Sequence, residues 1–90
     1  TNSMEPAIDD GMLCILEPVK DISDLIEGDI ICYLLGNNVL SPTVILHRII
    51  KIGQDKEGWH CKTRGDNNPS DDSWLVRANW VKYVYRGQIV

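Results

Sequence analysis

The sequence lacks several features that would assign it to common classes of protein. Its longest unbroken apolar run is Ile30–Leu35, far short of the ~20 residues of a membrane-spanning helix, so the chain does not cross a bilayer by itself. It also lacks a basic excess: the net charge of −4 argues against a nucleic-acid-binding protein. No repeat, low-complexity segment or linker divides it, and its 90 residues predict one domain, residues 1–90.

Cysteine usage excludes two further kinds of scaffold. The chain has three cysteines and no C-x-x-C pair, so neither a disulfide framework nor a zinc knuckle is indicated. Cys14 and Cys32 lie inside apolar runs, where we expect small buried thiols. One disulfide with a thiol left over also remains open, and the redox compartment therefore stays undetermined.

Short apolar runs bounded by turn residues are what the sequence does contain, and they predict strands. The predicted strands are residues 12–16, 29–35, 43–52, 59–63 and an interrupted strand over 81–85 and 88–90. Residues 53–58 form a polar turn that predicts a hairpin, and residues 21–27 have helical spacing over barely two turns. We expect a mostly β domain, a small coiled antiparallel sheet with at most one short helical turn.

A serine near the start of the chain is a candidate nucleophile because of its neighbours. A serine hydroxyl reacts poorly unless a base lies beside it, so Ser3 taken alone is most simply a solvated hydroxyl. Pro6 fixes its own φ and restricts Glu5 to extended geometry, which stiffens the backbone just after Ser3. Because a nucleophile needs a fixed orientation, we retain Ser3 as a candidate.

The strongest predicted strand, residues 43–52, carries His47 among branched apolar residues. Strand alternation places Ile45 and Ile49 on the face of His47, and the opposite face is also largely apolar. A buried imidazole is desolvated, which favours the neutral form that a general base needs. The simpler interpretation is a core histidine bonded to a backbone carbonyl. The other histidine, His60, has no comparable context, and we expect it to be structural.

Residues 63–72 are polar and rich in turn formers, and they directly follow the strand expected to pair with the His47 strand. The simplest interpretation is an exposed loop. A calcium loop counted from Asp66 would need glycine at its sixth position and glutamate at its twelfth, where the sequence has Asp71 and Arg77. We therefore expect no metal and no cofactor. A loop carboxylate such as Asp72 can instead accept the second ring N–H of His47, which would complete a Ser–His–Asp set.

Six segments of the chain form a combined pattern that is far more specific than any one of them. They are Ser3-Met4-Glu5-Pro6, Gly28-Asp29-Ile30-Ile31, His47-Arg48-Ile49, Thr63-Arg64-Gly65-Asp66-Asn67-Asn68, Asp71-Asp72 and Arg86-Gly87. Together they resemble type I signal peptidases, most closely the archaeal, spore-former and endoplasmic-reticulum branch. The resemblance extends over nearly the whole chain, in the family's order and at compatible spacings, and it implies the fold of the signal peptidases and repressor peptidases.

The resemblance also implies roles for individual residues. Ser3, in the S-M-x-P segment, corresponds to the acylated nucleophile of the family. The common bacterial branch has a lysine base where this sequence has His47, so the similarity is to the Ser-His-Asp branch. Asp72, the second residue of the Asp-Asp pair, corresponds to the acid, and Asp66 corresponds to a supporting acid. Thr1 and the backbone N–H of Ser3 correspond to the oxyanion hole.

A protein with this resemblance is expected to be a serine endopeptidase that removes signal peptides from preproteins by cutting after small residues. The signal-peptide segment would lie extended against a sheet edge near the His47 strand and form main-chain hydrogen bonds there. The resemblance further implies a membrane-associated protein whose catalytic domain faces the extracytoplasmic or lumenal side. We expect no nucleic-acid partner.

Two departures from the family pattern and two alternative functions qualify this expectation. Gly11-Met12 replaces a usual Gly-Asp, far from the proposed chemistry. The family has a membrane anchor directly before the nucleophile, so we expect either a domain separated from its anchor or a soluble peptidase that processes leader peptides. Lys51 lies about 13 Å along the strand from His47 and cannot replace it in a Ser-Lys dyad. A non-catalytic peptide-binding β module is the alternative from another class, and it would be expected to have a broken triad.

Overall fold

The computed structural model describes residues 3–9, 11–36 and 40–89. In these ranges one antiparallel sheet contains every strand, in the order β1-β6-β2-β3-β4-β5. The strands are β1 (Leu13–Pro18), β2 (Ile30–Leu35), β3 (Thr43–Asp55), β4 (Gly58–Arg64), β5 (Val76–Arg77) and β6 (Val81–Ile89). Strands β1 and β5 form the two edges, so the sheet is open. The predicted mostly β, antiparallel fold is confirmed.

Two 3-10 turns accompany the sheet in the described part of the chain, whereas the sequence predicts at most one. The first, Ile22–Asp24, lies in the predicted helical segment, and the Asp21 side chain accepts a bond from the Ser23 N–H at 3.0 Å. The second, Ala78–Trp80, turns the chain from β5 into β6 and stacks Trp80 on Tyr33 with ring centroids 6.4 Å apart. A three-residue turn is too short to leave a periodic pattern in a sequence. In the described ranges no helix is long and apolar enough to cross a membrane.

The predicted β3–β4 hairpin is present, but its turn is tighter than expected. Strand β3 continues through Gly53 to Asp55, which pairs with Gly58. The sequence predicts a strand end at Gly53 because glycine commonly breaks strands. Here the glycine makes room for a ring instead: a Cβ at Gly53 would lie 2.5 Å from Cε1 of His60.

Each face of the sheet carries a hydrophobic core. The neighbouring residues Ile30 and Ile31 point to opposite faces, as alternation along a strand requires. The smaller core contains Ile30 together with Met4 and Ile8 from the N-terminal segment. The main core lies on the face of Ile31, and its other buried members are Leu25, Tyr33, Ile49, Cys61, Val76, Val81 and Val84.

Burial at the cysteines and along β3 differs in part from the sequence expectation. All three cysteines lie in the described ranges as free thiols, and only Cys61 is fully buried. Cys14 and Cys32 are half-buried because Cys14 belongs to the edge strand β1 and Cys32 lies on the face of the smaller core. On the face of the smaller core, strand β3 is also only partly buried, and Val44 there is 64% exposed.

Candidate active site

Two separate packing interactions bring Ser3 and His47 together. His47 lies on β3 opposite Ile31, so its ring is on the face of the main core. The N-terminal segment is held by Met4, which is buried in the smaller core, and the Ser3 carbonyl accepts the Asn67 N–H at 2.7 Å. As a result, Ser3 Oγ lies 2.9 Å from His47 Nε2.

The loop that follows β4 brings Asp72 to the other side of the imidazole. The backbone N–H of Asp72 donates to the Thr63 carbonyl at 2.8 Å, which fixes where the loop returns to the sheet. Asp72 Oδ2 lies 2.6 Å from His47 Nδ1, and both side chains are only 8% exposed. Ser3, His47 and Asp72 therefore form a continuous series of side-chain hydrogen bonds.

Gly65 lets the same loop approach the N-terminal segment closely. A Cβ at this position would lie 2.6 Å from the Ser3 carbonyl oxygen and 2.9 Å from the Ser3 Cβ. Real Cβ atoms do not come so near to backbone, so any larger residue at 65 would displace Ser3 or the loop. Because Gly65 has no side chain, the loop can lie against Ser3 and help to fix its position.

The second sequence-predicted acid, Asp66, contacts Arg48 and not the imidazole. Its two carboxylate oxygens accept from Nε and Nη2 of Arg48 at 2.9 and 2.7 Å, and Nη1 of the same guanidinium donates to the Gly28 carbonyl at 2.8 Å. The hydrogen bonds from Arg48 hold the pKa of the Asp66 carboxyl below its usual range. The pair ties the loop after β4 to the turn that precedes β2.

The remaining sequence candidates lie elsewhere or outside the described residues. Thr1, expected in the oxyanion hole, is one of the residues that the structure does not describe. His60 lies in the β3–β4 hairpin, 3.9 Å from Asp55 Oδ2, and Asp71 lies 3.8 Å from Arg64. Among the described residues no group of three or more His, Cys, Asp or Glu side chains is arranged to hold a metal ion.

Behind Asp72 lies a set of side chains that the sequence interpretation did not single out. Thr63 Oγ1 donates to Asp72 Oδ2 at 2.7 Å and lies 2.8 Å from the Tyr33 hydroxyl, which accepts from Trp74 Nε1 at 2.9 Å. Tyr33 and Thr63 are both fully buried. A polar tip on the apolar strand β2 was the available cue, because a buried phenol hydroxyl requires a partner. Its partners are 30 or more residues away in the sequence and could not be inferred from spacing.

The hydrogen-bonded set of Ser3, His47 and Asp72 can carry out a defined kind of chemistry. A neutral imidazole with its Nδ1–H on a carboxylate presents Nε2 as an acceptor, and the hydroxyl at Nε2 can transfer its proton there as it attacks an electrophile. The carboxylate stabilises the imidazolium that results. Burial of His47 and Asp72 strengthens this electrostatic contribution by excluding water from the pair.

Comparison with curated proteins identifies relatives of one kind. The chain is 33% identical over 87 residues to signal peptidase I W of Bacillus subtilis, covering 97% of this chain and 44% of the relative. It is 36% identical over 92 residues to the signal peptidase complex catalytic subunit sec11 of Neurospora crassa, covering 100% of this chain and 50% of the relative. The corresponding sec11 of Schizosaccharomyces pombe is 35% identical over 68 residues. The chain thus spans half or less of the length of these relatives. No family model and no solved structure matches it.

Proposed function

Because the chain is a type I signal peptidase-like domain, we propose that it is the catalytic domain of a serine endopeptidase that removes signal peptides from preproteins. The observation that supports this most directly is the continuous chain Ser3 Oγ–His47 Nε2–His47 Nδ1–Asp72 Oδ2, with distances of 2.9 and 2.6 Å between the side chains. The relatives named as signal peptidases support the proposed class of substrate, and the side-chain geometry supports the proposed mechanism.

In this proposal Ser3 is the nucleophile and His47 is the general base. Ser3 Oγ attacks the scissile carbonyl while Nε2 takes its proton, and Asp72 holds the ring and stabilises the imidazolium. The imidazolium then returns the proton to the leaving amine, which leaves an acyl-enzyme on Ser3. Water deprotonated by the same imidazole hydrolyses this ester. The Ser3 backbone N–H and, by resemblance, Thr1 would stabilise the oxyanion.

An unpaired stretch of β3 supports the proposed mode of substrate binding. The pairing of β3 with β2 covers residues 43–48, whereas its pairing with β4 begins only at Arg48. Among the described strands, therefore, none lies along the other side of residues 43–47, next to His47. An extended peptide can add to this edge through main-chain hydrogen bonds, with shallow apolar pockets accepting small side chains near the cut. We propose further that the domain acts at a membrane, on the extracytoplasmic or lumenal side.

Cleavage of a preprotein by the full-length protein in detergent or lipid tests the proposal. We expect one cut after a small residue, and we expect Ser3→Ala to lower kcat by about 10⁴–10⁶ while circular dichroism and Tm stay unchanged, because the hydroxyl makes few core contacts. A Ser3→Ala protein that keeps more than about a tenth of the activity would exclude Ser3 as the nucleophile. Wild-type protein that binds the preprotein without cutting it would favour the non-catalytic peptide-binding module instead.

A further inference from the structure

The polar side chains behind Asp72 occupy a position that apolar residues would ordinarily fill. Tyr33 and Thr63 are completely buried in or beside the main core, where a hydroxyl without a partner would cost stability. Their hydroxyls contact each other at 2.8 Å, and both also reach the same oxygen of Asp72, Thr63 at 2.7 Å and Tyr33 at 3.4 Å. Trp74 donates to the Tyr33 hydroxyl from behind at 2.9 Å.

The groups at the two ends of this set, an indole N–H and a carboxylate, fix the direction of the hydrogen bonds that they make. An indole N–H only donates, so the Tyr33 oxygen accepts from Trp74, and the Tyr33 proton has two acceptors within reach, Thr63 Oγ1 at 2.8 Å and Asp72 Oδ2 at 3.4 Å. An ionised carboxylate only accepts, so the Thr63 proton points to Asp72 Oδ2 at 2.7 Å. Burial raises the pKa of the Tyr33 phenol to about 12, so this hydroxyl keeps its proton at any pH suited to the proposed peptidase.

A second line of hydrogen bonds ends on the same atom. His47 Nδ1 lies 2.6 Å from Asp72 Oδ2, and only the Nδ1–H tautomer of a neutral ring can donate there. The backbone of Asp72 is held as well: its N–H donates to the Thr63 carbonyl, and its carbonyl oxygen accepts from Lys62 Nζ at 3.1 Å. Asp72 Oδ2 therefore lies where two oriented lines of donors meet, one from Trp74 and one from Ser3.

We propose that Thr63 and Tyr33, supported by Trp74, are positioning residues that hold Asp72 Oδ2 against His47 Nδ1. In that orientation the neutral imidazole keeps its proton on Nδ1 and leaves Nε2 open to the Ser3 hydroxyl. Without the Thr63 hydroxyl the carboxylate can rotate, the preference between the two ring tautomers weakens, and a larger share of rings carries the proton on the wrong nitrogen. The kinetic part of this inference rests on the proposed peptidase function, whereas the tautomer part does not.

Ring nitrogen NMR of His47 in the protein without substrate is the primary test, because ¹⁵N shifts report the tautomer of a neutral imidazole. We expect the Nδ1–H form to dominate in wild-type protein and to lose population in Thr63→Val, which keeps the shape of the side chain and removes its hydroxyl. Thr63→Ser should restore it. Tyr33→Phe should act in the same direction but less, since its hydroxyl reaches Asp72 mainly through Thr63. Tyr85→Phe is the matched control, because that hydroxyl bonds to Gln88 at 2.8 Å, away from Asp72.

Kinetics of the same variants provide the second test. The loss of a hydrogen bond to a charged group predicts a fall in kcat of about 10- to 100-fold for Thr63→Val with KM unchanged, and recovery of most of that loss in Thr63→Ser. A folded Thr63→Val or Tyr33→Phe protein with wild-type tautomer ratio and wild-type kcat would overturn the proposal. So would a loss that Thr63→Ser fails to restore, because packing would then be its cause.

The two tests also separate this inference from the proposed function. If wild-type protein cuts no preprotein while Thr63→Val still shifts the tautomer, the peptidase proposal fails and the positioning role stands. If wild-type protein cuts normally and the tautomer ratio is indifferent to both hydroxyls, the positioning role fails and the peptidase proposal stands. Should Thr63→Val fail to fold, Tyr33→Phe gives the same decision on its own.

Discussion

Two carboxylates of one loop, Asp66 and Asp72, bind two neighbouring residues of β3 and yet are held in different surroundings. Asp72 meets the imidazole of His47 and a hydroxyl, and its side chain is 8% exposed. Asp66 meets the guanidinium of Arg48, and those two side chains are 20% and 33% exposed. Because His47 and Arg48 are adjacent in a strand, they point to opposite faces, so the loop contacts β3 on both sides.

The difference between the two acids lies in the partner and in access to water. Arg48 is always charged and forms a two-pronged contact, which fixes a loop but offers no proton to exchange. The imidazole of His47 can take up a proton and give it back, so the carboxylate beside it can act during a reaction. Of these two identical side chains, six positions apart, Asp66 is thus suited to anchoring the loop and Asp72 to chemistry at His47.

Neutralising each acid in turn should have very different effects on the rate. Asp72→Asn should lower kcat by about 10³–10⁴, because an amide offers His47 a donor where a carboxylate offered an acceptor. Asp66→Asn should lower kcat by no more than about tenfold, since Asp66 acts only through the loop. Steady-state kinetics on a preprotein measure both variants. A healthy Asp72→Asn enzyme beside an inactive Asp66→Asn enzyme would reverse the two assignments.

Gly65 precedes both acids and offers a test of the loop itself. Gly65→Ala should displace Ser3 or the loop, because the new Cβ would lie 2.6 Å from the Ser3 carbonyl oxygen. We expect a loss of stability of about 1–3 kcal/mol, as is usual for overpacking, with kcat reduced about 10- to 100-fold by the misplaced Ser3 hydroxyl. Urea unfolding and kinetics measure the two effects. Gly28→Ala is an informative control, since a Cβ there meets no atom within 4 Å, so its cost should come from its positive φ alone.

Loss of the contact between Arg48 and Asp66 should affect stability more than rate. Arg48→Gln should lower the free energy of unfolding by about 1 kcal/mol, since the pair with Asp66 is only partly buried and solvent screens it. It should also lower kcat a few-fold through the loosened loop. Arg77→Gln removes a similar two-pronged contact, to Asp55 at 2.9 and 3.0 Å, far from Ser3. That control should leave kcat unchanged, and an equal loss of kcat in both variants would contradict an anchoring role for Arg48.

The smallest expected effect is a dependence of the anchoring contact on pH. Arg48 holds the pKa of the Asp66 carboxyl below its usual range in the folded protein. The stability that this provides is complete above about pH 4, where a free carboxyl is ionised, and is lost as pH falls through the lower pKa of the folded state. The difference in unfolding free energy between wild type and Asp66→Asn should therefore shrink in acid. Urea unfolding at a series of pH values measures it, and a difference that grows toward low pH would contradict the assignment.

The sequence predicted the strands well wherever a run of residues showed a pattern. Strands β2, β3 and β4 lie where the apolar runs placed them, because those runs are five residues or longer and are bounded by turn formers. Strand β5, Val76–Arg77, was not predicted, since two residues cannot display alternation. The continuation of β3 through Gly53 was missed for a different reason: the ring of His60 packs on that glycine, and this contact exists only once the hairpin has formed.

In the candidate site, too, the residues that belong to sequence motifs were predicted, and those that are linked only by contacts in the fold were not. Ser3, His47 and Asp72 were selected by residue chemistry and by resemblance, and the fold brings them within hydrogen-bond distance, although their roles remain predictions until the variants are measured. The bond of Asp66 to Arg48 was not anticipated, because sequence spacing does not show which face of the strand a loop carboxylate will meet. The hydroxyls of Tyr33 and Thr63 were missed because their contacts join strands that are distant in the chain.

The length of chain that separates Ser3 from its partners has a consequence for how the proposed site is assembled during synthesis and folding. The β3–β4 hairpin, and with it the loop that carries Asp72, closes over short distances and can form early, whereas the contact between Ser3 and His47 spans 44 residues and the β1–β6 pairing joins Leu13 to Ile89. Contacts of long sequence separation form slowly because a large loop must close first. In the proposed mechanism, an unfinished or partly folded chain therefore carries Ser3 without its proposed base, and Ser3 meets His47 only when the architecture that orients both is complete.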